Sequence, residues 1–218
     1  MRRLSSWIIA LWVSVSTGGA MPMHLISAPA LSADGNSMVF EWCDDLWIAP
    51  SQGGEAKRVV DDAGRDAYPR FTPDGKRIVF SSDRSGSMEV YSKAIAGGEC
   101  VRHSWQSEGN ELECLSPDGK QAIVRGLRER AGFLETRLME IDLTKDLRER
   151  RLFDVTATSA AWSPDGDRIL FCTGGEQLYR KGYHGSRCSE IWLYQKTGST
   201  FTGMSAGGAE ERSPLWLP

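Results

Sequence analysis

Short apolar segments separated by turn-forming residues make up most of the chain, and one unit of this pattern occurs four times. Each unit contains an Asp-Gly pair, and successive pairs are 40, 44 and 47 residues apart. The four aspartates are Asp34, Asp74, Asp118 and Asp165. Six residues after each aspartate stands a bulky apolar residue: Phe40, Phe80, Val124 or Phe171. Repeats of about 40 to 50 residues with strand-forming composition are typical of β-propeller blades.

The residues around each Asp-Gly pair predict a β-hairpin. In "YPRFTPDGKRIVF", Pro73 presets its own φ, the Asp74 side chain caps the turn, and Gly75 takes a positive φ. The turn joins two runs of strand-forming residues, "YPRF" and "RIVF". A third run, a second turn and a fourth run complete each unit. Four antiparallel strands per unit are the blade of a propeller.

The predicted fold is therefore an all-β propeller of four blades, each of four antiparallel strands, followed by the start of a fifth. This partial propeller is expected to cover residues 23–218. The blades are predicted at residues 23–62, 66–106, 109–156 and 157–206, with the next blade starting at 211–218. "SPLWLP" aligns with "SAAWSP", which places Pro218 under Pro164. Since an unclosed ring leaves a bare sheet edge, we expect the front part of a longer protein or a truncated one.

Residues 125–151 are rich in Leu, Glu and Arg and could also form a helix. The segment "RLMEIDL" alternates apolar and polar residues at period two, which favours an exposed hairpin of the third blade. The arginines at 125–130 and 148–151 are interleaved with glutamates and are predicted to lie on solvated faces.

The composition argues against several functions. Acidic residues number 29 and basic residues 26, for a formal charge of −3, and no extended basic stretch lies outside the first three residues. A nucleic-acid partner is therefore not expected. The five cysteines contain no C-x-x-C pair, so neither a zinc site nor a cofactor is predicted. They are expected to fill strand faces, and the sequence does not decide whether two of them form a disulfide.

The first residues resemble a secretory signal. Arg2 and Arg3 precede an apolar run at residues 7–15, and Gly18 and Ala20 offer small residues for cleavage. The run is too short to span a bilayer. We predict a signal peptide at residues 1–20, a periplasmic or secreted mature protein, and no membrane segment in it. The alternative is that translation starts at Met21 or Met23, which would make the protein cytoplasmic.

Two longer segments carry a family resemblance. They are "MVFEWCDDLWIAPSQGGEAKRVV" at residues 38–60 and "KGYHGSRCSEIWLYQKTGSTF" at residues 181–201. Together with the repeated "F-[ST]-P-D-G-K-x-I-[AV]-F" pattern, they resemble the N-terminal six-bladed propeller of tricorn-type serine proteases. "DDLW" is typical of the first blade in that family, and "K-G-Y-x-G…IW" of the fourth. Blade one departs from the pattern, because Ala33 stands where the other units have proline.

The resemblance implies a non-catalytic region of a large serine peptidase that trims peptides. The propeller would guide peptides in and out, and a downstream domain absent from this sequence would carry the catalytic serine. Partners would be peptide substrates, the downstream protease domains and an oligomer. No catalytic residue is carried over. Within the "KGYHG" loop, Lys181, Tyr183 and His184 are candidates for lining the peptide channel.

Local motifs for catalysis are weak. "GMSAG" at residues 203–207 satisfies G-x-S-x-G, but its polar flanks offer neither the buried strand nor the helix of a nucleophile elbow. No two of the three histidines lie within four residues of each other, so no local metal motif occurs.

Two other interpretations stay open. The Pro-Asp-Gly repeat also occurs in periplasmic TolB propellers and prolyl-oligopeptidase-like enzymes. A secreted, TolB-like propeller that binds proteins without any role in proteolysis is therefore the main alternative. The other alternative is a truncated gene remnant.

Overall fold

A computed structural model describes residues 25–128, 136–145, 148–174, 188–205 and 211–216, and throughout these ranges the regular structure is β-strand. The strands form four sheets of four antiparallel strands each, and the strand order in each sheet follows the chain. The predicted all-β fold with four-stranded blades is confirmed. Within the same ranges, no helix has the length and apolar character needed to cross a bilayer.

The strands of each blade are listed here from the first to the last. Blade I has β1 to β4: Ser27–Leu31, Ser37–Trp42, Asp45–Pro50 and Lys57–Arg58. Blade II has β5 to β8: Asp66–Phe71, Arg77–Ser82, Glu89–Ala94 and Val101–Arg102. Blade III has β9 to β12: Glu111–Leu115, Gln121–Leu127, Thr136–Asp142 and Arg150–Thr156. Blade IV has β13 to β16: Ser159–Trp162, Arg168–Thr173, Glu190–Gln195 and Thr200–Gly203.

The first strand of each blade is the inner one. β1 contacts β5, β5 contacts β9, and β9 contacts β13, so the four first strands follow one another around a common axis. A β-propeller places one strand of each blade in this way around its central channel. The four blades therefore form consecutive parts of one ring.

A repeated backbone hydrogen bond joins each blade to the next. In each bond, a backbone N–H close to the first strand of one blade is the donor. The acceptor is a backbone carbonyl at the start of the third strand in the preceding blade. The bonds run from Asp66 to Asp44 (2.8 Å), from Asn110 to Met88 (2.5 Å), from Ala157 to Thr136 (3.0 Å) and from Glu211 to Ser189 (3.1 Å). Glu211 thus has the same relation to blade IV that Asp66 has to blade I. Residues 211–216 form no strand, and the start of a further blade at 211–218 stays a prediction.

The four Asp-Gly turns share one structure. The aspartate Oδ1 accepts a hydrogen bond from the Ser or Thr hydroxyl two residues earlier, at 2.5–2.6 Å, and from the backbone N–H two residues later, at 3.0–3.1 Å. The glycines have φ between +66° and +78°. Capping by aspartate and a positive φ at glycine are therefore confirmed. Blade I forms the same bonds with Ala33 in place of proline, because the Asp34 side chain and Gly35 supply the turn geometry.

The core lies between blades rather than within them. Ile78 and Phe80 of β6 pack with blade I, while Val79 between them packs with blade III. Alternate side chains of a strand point to opposite faces of the sheet, so each blade contributes to two clusters. Phe171 of blade IV packs against Phe153 of blade III, with ring centroids 4.5 Å apart. Fully burying one such aromatic side chain contributes about 2 kcal/mol.

Predictions for the polar segments had mixed outcomes. The hairpin of the third blade is confirmed, since β10 pairs with β11 from Gln121–Asp142 to Leu127–Thr136. The expectation that this hairpin is exposed is wrong, because residues 138–141 of β11 are buried. The prediction of solvated arginines is wrong for Arg125 and Arg128. Arg128 is 9% exposed, and Arg125 forms ion pairs with two glutamates. These arginines are held by carboxylates and backbone carbonyls at the ends of β9 and β10, which alternation in sequence does not reveal.

All five cysteines lie in the described ranges, and none of them is in a disulfide there. Cys172 is buried on a strand as predicted, whereas Cys43 is exposed in the tight turn between β2 and β3. The expectation that the cysteines fill strand faces is therefore wrong for Cys43, and Cys100 and Cys188 also lie outside the strands.

Candidate functional site at the propeller axis

Polar side chains of blades II and III form a charged surface at the inner strands β5 and β9, together with Arg125 of β10. We name this surface the axial wall and define it as Tyr68, Arg70, Glu111, Glu113 and Arg125. In β9, Leu112 points into the buried cluster between blades II and III, so Glu111 next to it points the other way. The register of β9 with β10 shifts at Glu113, and the Glu113 side chain also meets Arg125. In β5, the register with β6 shifts between Ala67 and Arg70, and Tyr68 has φ +54°. The bulge changes the direction of the side chains that follow it.

The charges of the axial wall are linked across blades. Arg125 donates to Glu111, and its Nε lies 3.2 Å from Glu113 Oε1. Its Nη1 also donates to the carbonyl of Thr158, at 2.9 Å, just before the inner strand of blade IV. Arg70 Nε donates to the backbone carbonyl of Glu113, at 3.1 Å. Blades II, III and IV are therefore connected by two guanidinium groups next to the axis.

Burial changes the acidity of two groups in this wall. Burial raises the pKa of Glu113 to about 7, although the positive charges of Arg125 and Arg70 act against this rise. Burial, with a further contribution from the negative charge of Glu111, raises the pKa of Tyr68. A carboxyl group with a pKa near 7 can donate or accept a hydrogen bond at neutral pH. The wall therefore contains both hydrogen-bond donors and acceptors.

A small polar pocket of about 180 Å³ lies at the blade I side of this surface. It is lined in part by Glu41, Trp42, Asp44 and Arg65. Glu41 is buried and fixed, because its carboxylate accepts from the Tyr68 N–H at 2.6 Å and from the Ser27 hydroxyl at 3.1 Å. The pocket thus continues the polar surface from the axial wall toward the turn between β2 and β3.

One position of the repeat supplies several of these residues. The side chain seven residues after each turn aspartate reaches the chain that enters the next blade. Glu41 binds Tyr68 N, Ser81 binds Leu112 N and Asn110 O, Arg125 binds Thr158 O, and Cys172 contacts Glu211 O at 3.7 Å. The role of this position is the same in each blade, but its chemistry differs. Charged residues occur there in blades I and III.

The residues predicted to line the channel, Lys181, Tyr183 and His184, lie outside the described residues. In the part of the chain that the structure describes, no three His, Cys, Asp or Glu side chains come together as a metal site would require. The axial glutamates and arginines were missed by the sequence analysis. The only available signal was the repeat itself, since aligning the turn aspartates places Arg125 in register with Glu41.

Ser205 of the "GMSAG" motif is a structural residue of blade IV. Its Oγ accepts from the Ile191 N–H at 2.6 Å and donates to Glu211 Oε2 at 2.5 Å. Ser104 occupies the same place in blade II, where it accepts from the Val90 N–H at 2.9 Å. A serine that makes the same strand-end bond in two blades is explained by the repeat, and the expectation that "GMSAG" is not a nucleophile elbow agrees with this geometry.

Comparison with known proteins identifies similar propellers. A family model described as the tricorn protease N-terminal beta propeller domain matches residues 23–218. The chain is 25% identical over 203 residues to "Tricorn protease homolog 1" of Streptomyces coelicolor, a match that covers 84% of this chain and 17% of the relative.

Two solved structures have a similar fold. The crystal structure of the tricorn protease superposes with a TM-score of 0.71 and 24% identity, covering 91% of this chain and 20% of that chain. The structure of a putative TolB from Agrobacterium tumefaciens superposes with a TM-score of 0.69 and 21% identity, covering 84% of this chain and 63% of that chain. The chain is therefore similar to a small part of the tricorn proteins and to somewhat under two thirds of the putative TolB.

Proposed function

This chain belongs to the family of the tricorn protease N-terminal β-propeller domain, and from that membership we propose that it is a non-catalytic propeller region of a tricorn-like serine peptidase. It guides extended peptides toward and away from a catalytic domain located downstream in the complete protein. The observation that carries this proposal is the axial wall, where Glu111 and Glu113 of the inner strand β9 pair with Arg125 of the adjacent strand β10.

The chemistry of the wall suits an extended peptide. Such a peptide has unpaired backbone N–H and C=O groups that polar side chains and strand ends can pair with. Arg125 and Arg70 donate, Glu111 accepts, and Glu113 can do either near neutral pH because burial raises its pKa to about 7. A wall of this kind holds a peptide through its backbone and places few demands on its side chains.

Peptide binding is tested by NMR titration of the complete 218-residue chain with an unstructured peptide of about ten residues. We expect chemical-shift changes at the axial wall, and several-fold weaker binding in Glu111→Gln. The matched control is Glu190→Gln, an exposed residue on the third strand of blade IV, which should bind like the parent chain. Shift changes confined to the outer strands, or equal effects of the two variants, would contradict the proposal.

The non-catalytic nature of this chain has its own test. Fluorogenic peptides incubated with the chain alone should not be cleaved. Turnover that disappears in Ser205→Ala would place a nucleophile in this propeller and would contradict the assignment of catalysis to a downstream domain. Lys181 and Tyr183, with His184 beside them, are proposed to line the peptide path. Lys181→Ala and Tyr183→Ala should lower peptide turnover by the complete peptidase, and unchanged turnover would remove them from the path.

A second candidate function is a TolB-like propeller that binds proteins of the cell envelope and has no role in proteolysis. The observation that favours it is the fold similarity to the putative TolB, of which this chain covers 63%. Chemical crosslinking in cells separates the two proposals. Crosslinks to an envelope protein, together with no binding of free peptides in the NMR titration, would favour the TolB-like function.

We further propose that residues 1–20 are removed as a signal peptide and that the mature protein is periplasmic or secreted. The basic Arg2 and Arg3 followed by an apolar run support this location. Amino-terminal sequencing of the protein from fractionated cells is the test. A mature amino terminus shortly after Ala20 in the periplasm or medium is expected, whereas a cytoplasmic protein that begins at Met21 or Met23 would contradict it.

A further inference from the structure

Blade II carries polar residues at two positions on the face that it turns to blade III. Ser92 pairs with Val79 across β6 and β7, and the residues in the same place are Ile48 in blade I, Glu140 in blade III and Leu193 in blade IV. The N–H of His103 donates to the carbonyl of Val90 at the end of blade II. The corresponding donors are Val59 in blade I and Met204 in blade IV. Two positions that are apolar in blades I and IV are thus polar in blade II.

The two polar residues form a chain with a third. Arg77 Nη2 donates to Ser92 Oγ at 2.7 Å, and Ser92 Oγ lies 2.8 Å from His103 Nε2. Burial, and after it the positive charge of Arg77, lowers the pKa of His103, which favours the neutral imidazole at pH 7. Ser92 Oγ therefore links the Arg77 guanidinium to the His103 ring, and the imidazole tautomer sets the direction of its bond to Nε2. Among the described residues Arg77 forms no ion pair, so its other N–H groups have no carboxylate partner.

A cavity of about 500 Å³ adjoins this chain of polar groups, between blades II and III. Ligand pockets in proteins are usually about 300–1,000 Å³. Val79, Val101 and Leu143 supply an apolar surface. The Asp-Gly turns of both blades line the cavity with Asp74 and Asp118. Each of the two carboxylates binds its own turn through Oδ1, and Asp118 Oδ2 lies 3.7 Å from Lys120 Nζ. The cavity therefore combines one guanidinium, two carboxylates and an apolar wall.

We propose that this cavity binds a small zwitterion with an apolar side chain, of the size of a dipeptide. The carboxylate of the ligand pairs with Arg77, its ammonium group with Asp74 or Asp118, and its side chain packs on Val79 and Val101. A simple anion would be repelled by the two aspartates, and a simple cation would leave Arg77 unpaired. A zwitterion can pair with both the guanidinium and a carboxylate of the cavity. The apolar wall requires that the ligand also carry a hydrophobic group.

Proteins break the regularity of a repeat mainly where function requires it, because each break reduces packing. Blade II has Ser92 and His103 where blade I has Ile48 and Val59, and Val59 packs against the apolar cluster between blades I and II. The polar chain in blade II instead orients Arg77 toward the cavity. This argument does not depend on the channel function of the axial wall, since none of the cavity residues belongs to that wall.

Isothermal titration calorimetry of the complete chain with leucyl-leucine at neutral pH tests the proposal. We expect saturable binding that weakens at least about tenfold when the ligand carboxylate is converted to an amide or its amino group is acetylated. Equal binding of the three ligands, or no saturable heat up to about 10 mM ligand, would overturn the proposal. These ligand comparisons use the unaltered chain, so they do not depend on the folding of any variant.

Variants locate the site. Arg77→Gln should weaken leucyl-leucine binding at least about tenfold. Arg168→Gln alters the arginine in the same place of blade IV, where it pairs with Asp165, and should leave binding unchanged. Ser92→Ile restores the residue of blade I and should abolish binding by filling the polar corner of the cavity. Unchanged binding in Arg77→Gln, or loss in Arg168→Gln of the same size, would place the ligand elsewhere.

Glu111→Gln separates this site from the channel. It should leave leucyl-leucine binding unchanged, whereas it weakens the binding of a longer extended peptide under the proposed channel function. Loss of both in this variant would contradict a separate site between blades II and III.

Discussion

Glu113 and Arg125 form an ion pair on adjacent strands of blade III, with Oε1 and Nε 3.2 Å apart. The pair does not keep Glu113 ionised in the usual range. Arg125 also pairs with Glu111 and donates a hydrogen bond to the carbonyl of Thr158. The Glu113 side chain is only 14% exposed. Because burial exceeds the stabilisation from the shared guanidinium, the pKa of Glu113 rises to about 7.

This ion pair predicts how stability depends on pH. A carboxyl group whose folded pKa lies above its unfolded value stabilises the fold at low pH, and that contribution is lost as the pH rises from 4.5 to about 7. We expect Glu113→Gln, which cannot ionise, to remove this loss. The free energy of unfolding of the parent chain should then fall relative to the variant by up to about 3 kcal/mol across this range.

Urea unfolding of both proteins between about pH 5 and about pH 8 measures this difference. Glu111→Gln is the matched control, because it removes the other glutamate partner of Arg125 and leaves Glu113 in place. It should retain the pH dependence of the parent chain. The same pH dependence in Glu113→Gln as in the parent would show that Glu113 titrates at its ordinary value.

The turn glycines of neighbouring blades predict a contrast in stability. Gly75 and Gly119 have similar positive φ values, +66° and +69°, but a Cβ at Gly75 would have no atom within 4 Å, whereas one at Gly119 would lie 2.7 Å from Pro73 Cδ. We expect Gly75→Ala to cost about 1 kcal/mol through its φ alone, and Gly119→Ala about 1–3 kcal/mol more through the clash. Thermal unfolding of the two variants measures the difference. Equal melting temperatures would mean that the turns of blades II and III do not touch.

The repeat made the fold predictable, because its spacing, its turn residues and its apolar alternation all indicate the same structure. The Asp-Gly spacing marks the blades, the residues at the turns have the side chains that the turn requires, and alternation at period two assigns Ile78 and Val79 to opposite faces. Ala33 shows that the turn does not need every member of the motif. Its hydrogen bonds form without proline, because Asp34 accepts from the Ser32 hydroxyl and from the Asn36 N–H.

The axial wall was not predictable for a physical reason. Its arginines and glutamates have the composition of a solvated face, and only three-dimensional proximity across blades distinguishes Arg125 from an exposed arginine. The relation between Ser92 and Ile48 is similar. Both are ordinary strand residues in sequence, and the difference between them acquires meaning only when the strand register places them at the same point of the repeat.

Two serines near blade boundaries predict opposite outcomes for the same substitution. Ser81 is fully buried, donates to the Asn110 carbonyl at 3.0 Å and accepts from the Leu112 N–H at 2.8 Å. Ser159 Oγ is also buried but has no hydrogen-bond partner among the described residues. We expect Ser81→Ala to destabilise the chain by about 2–3 kcal/mol, because two backbone groups lose their partner. Ser159→Ala should be neutral or slightly stabilising.

Urea unfolding of both serine variants is the measurement. A Ser81→Ala variant as stable as the parent would mean that the bond between β6 and the start of β9 does not hold blades II and III together. A loss of more than about 1 kcal/mol in Ser159→Ala would show that its hydroxyl has a partner after all.

Arg84 of blade II pairs with Asp66 at the start of β5 in the same blade and with Asp62 in the segment that leads from blade I. Its two terminal nitrogens bind Asp62 at 2.5 Å and Asp66 at 2.7 Å, and its guanidinium lies over the rings of Phe80 and Tyr91. Asp66 is 1% exposed, and burial raises its pKa. Removing the arginine therefore leaves a carboxylate in a site with almost no water.

We expect Arg84→Gln to destabilise the chain by about 3–5 kcal/mol at pH 7, because it breaks a buried pair from one side. The loss should shrink as the pH falls, since protonation of Asp66 removes the uncompensated charge. Adding Asp66→Asn to Arg84→Gln should recover a large part of the loss for the same reason. Urea unfolding of the single and double variants at two pH values measures these differences.

Arg58→Gln is the matched control, because Arg58 also pairs with two aspartates, Asp45 and Asp61, but its side chain is 39% exposed. An exposed pair of this kind contributes about 0–1 kcal/mol. If Arg84→Gln cost no more than Arg58→Gln, and if the cost did not change with pH, then Asp66 would be neutral in the folded chain. The contact between blades I and II would in that case depend on the packing of Phe80 and Tyr91 rather than on the charge of Arg84.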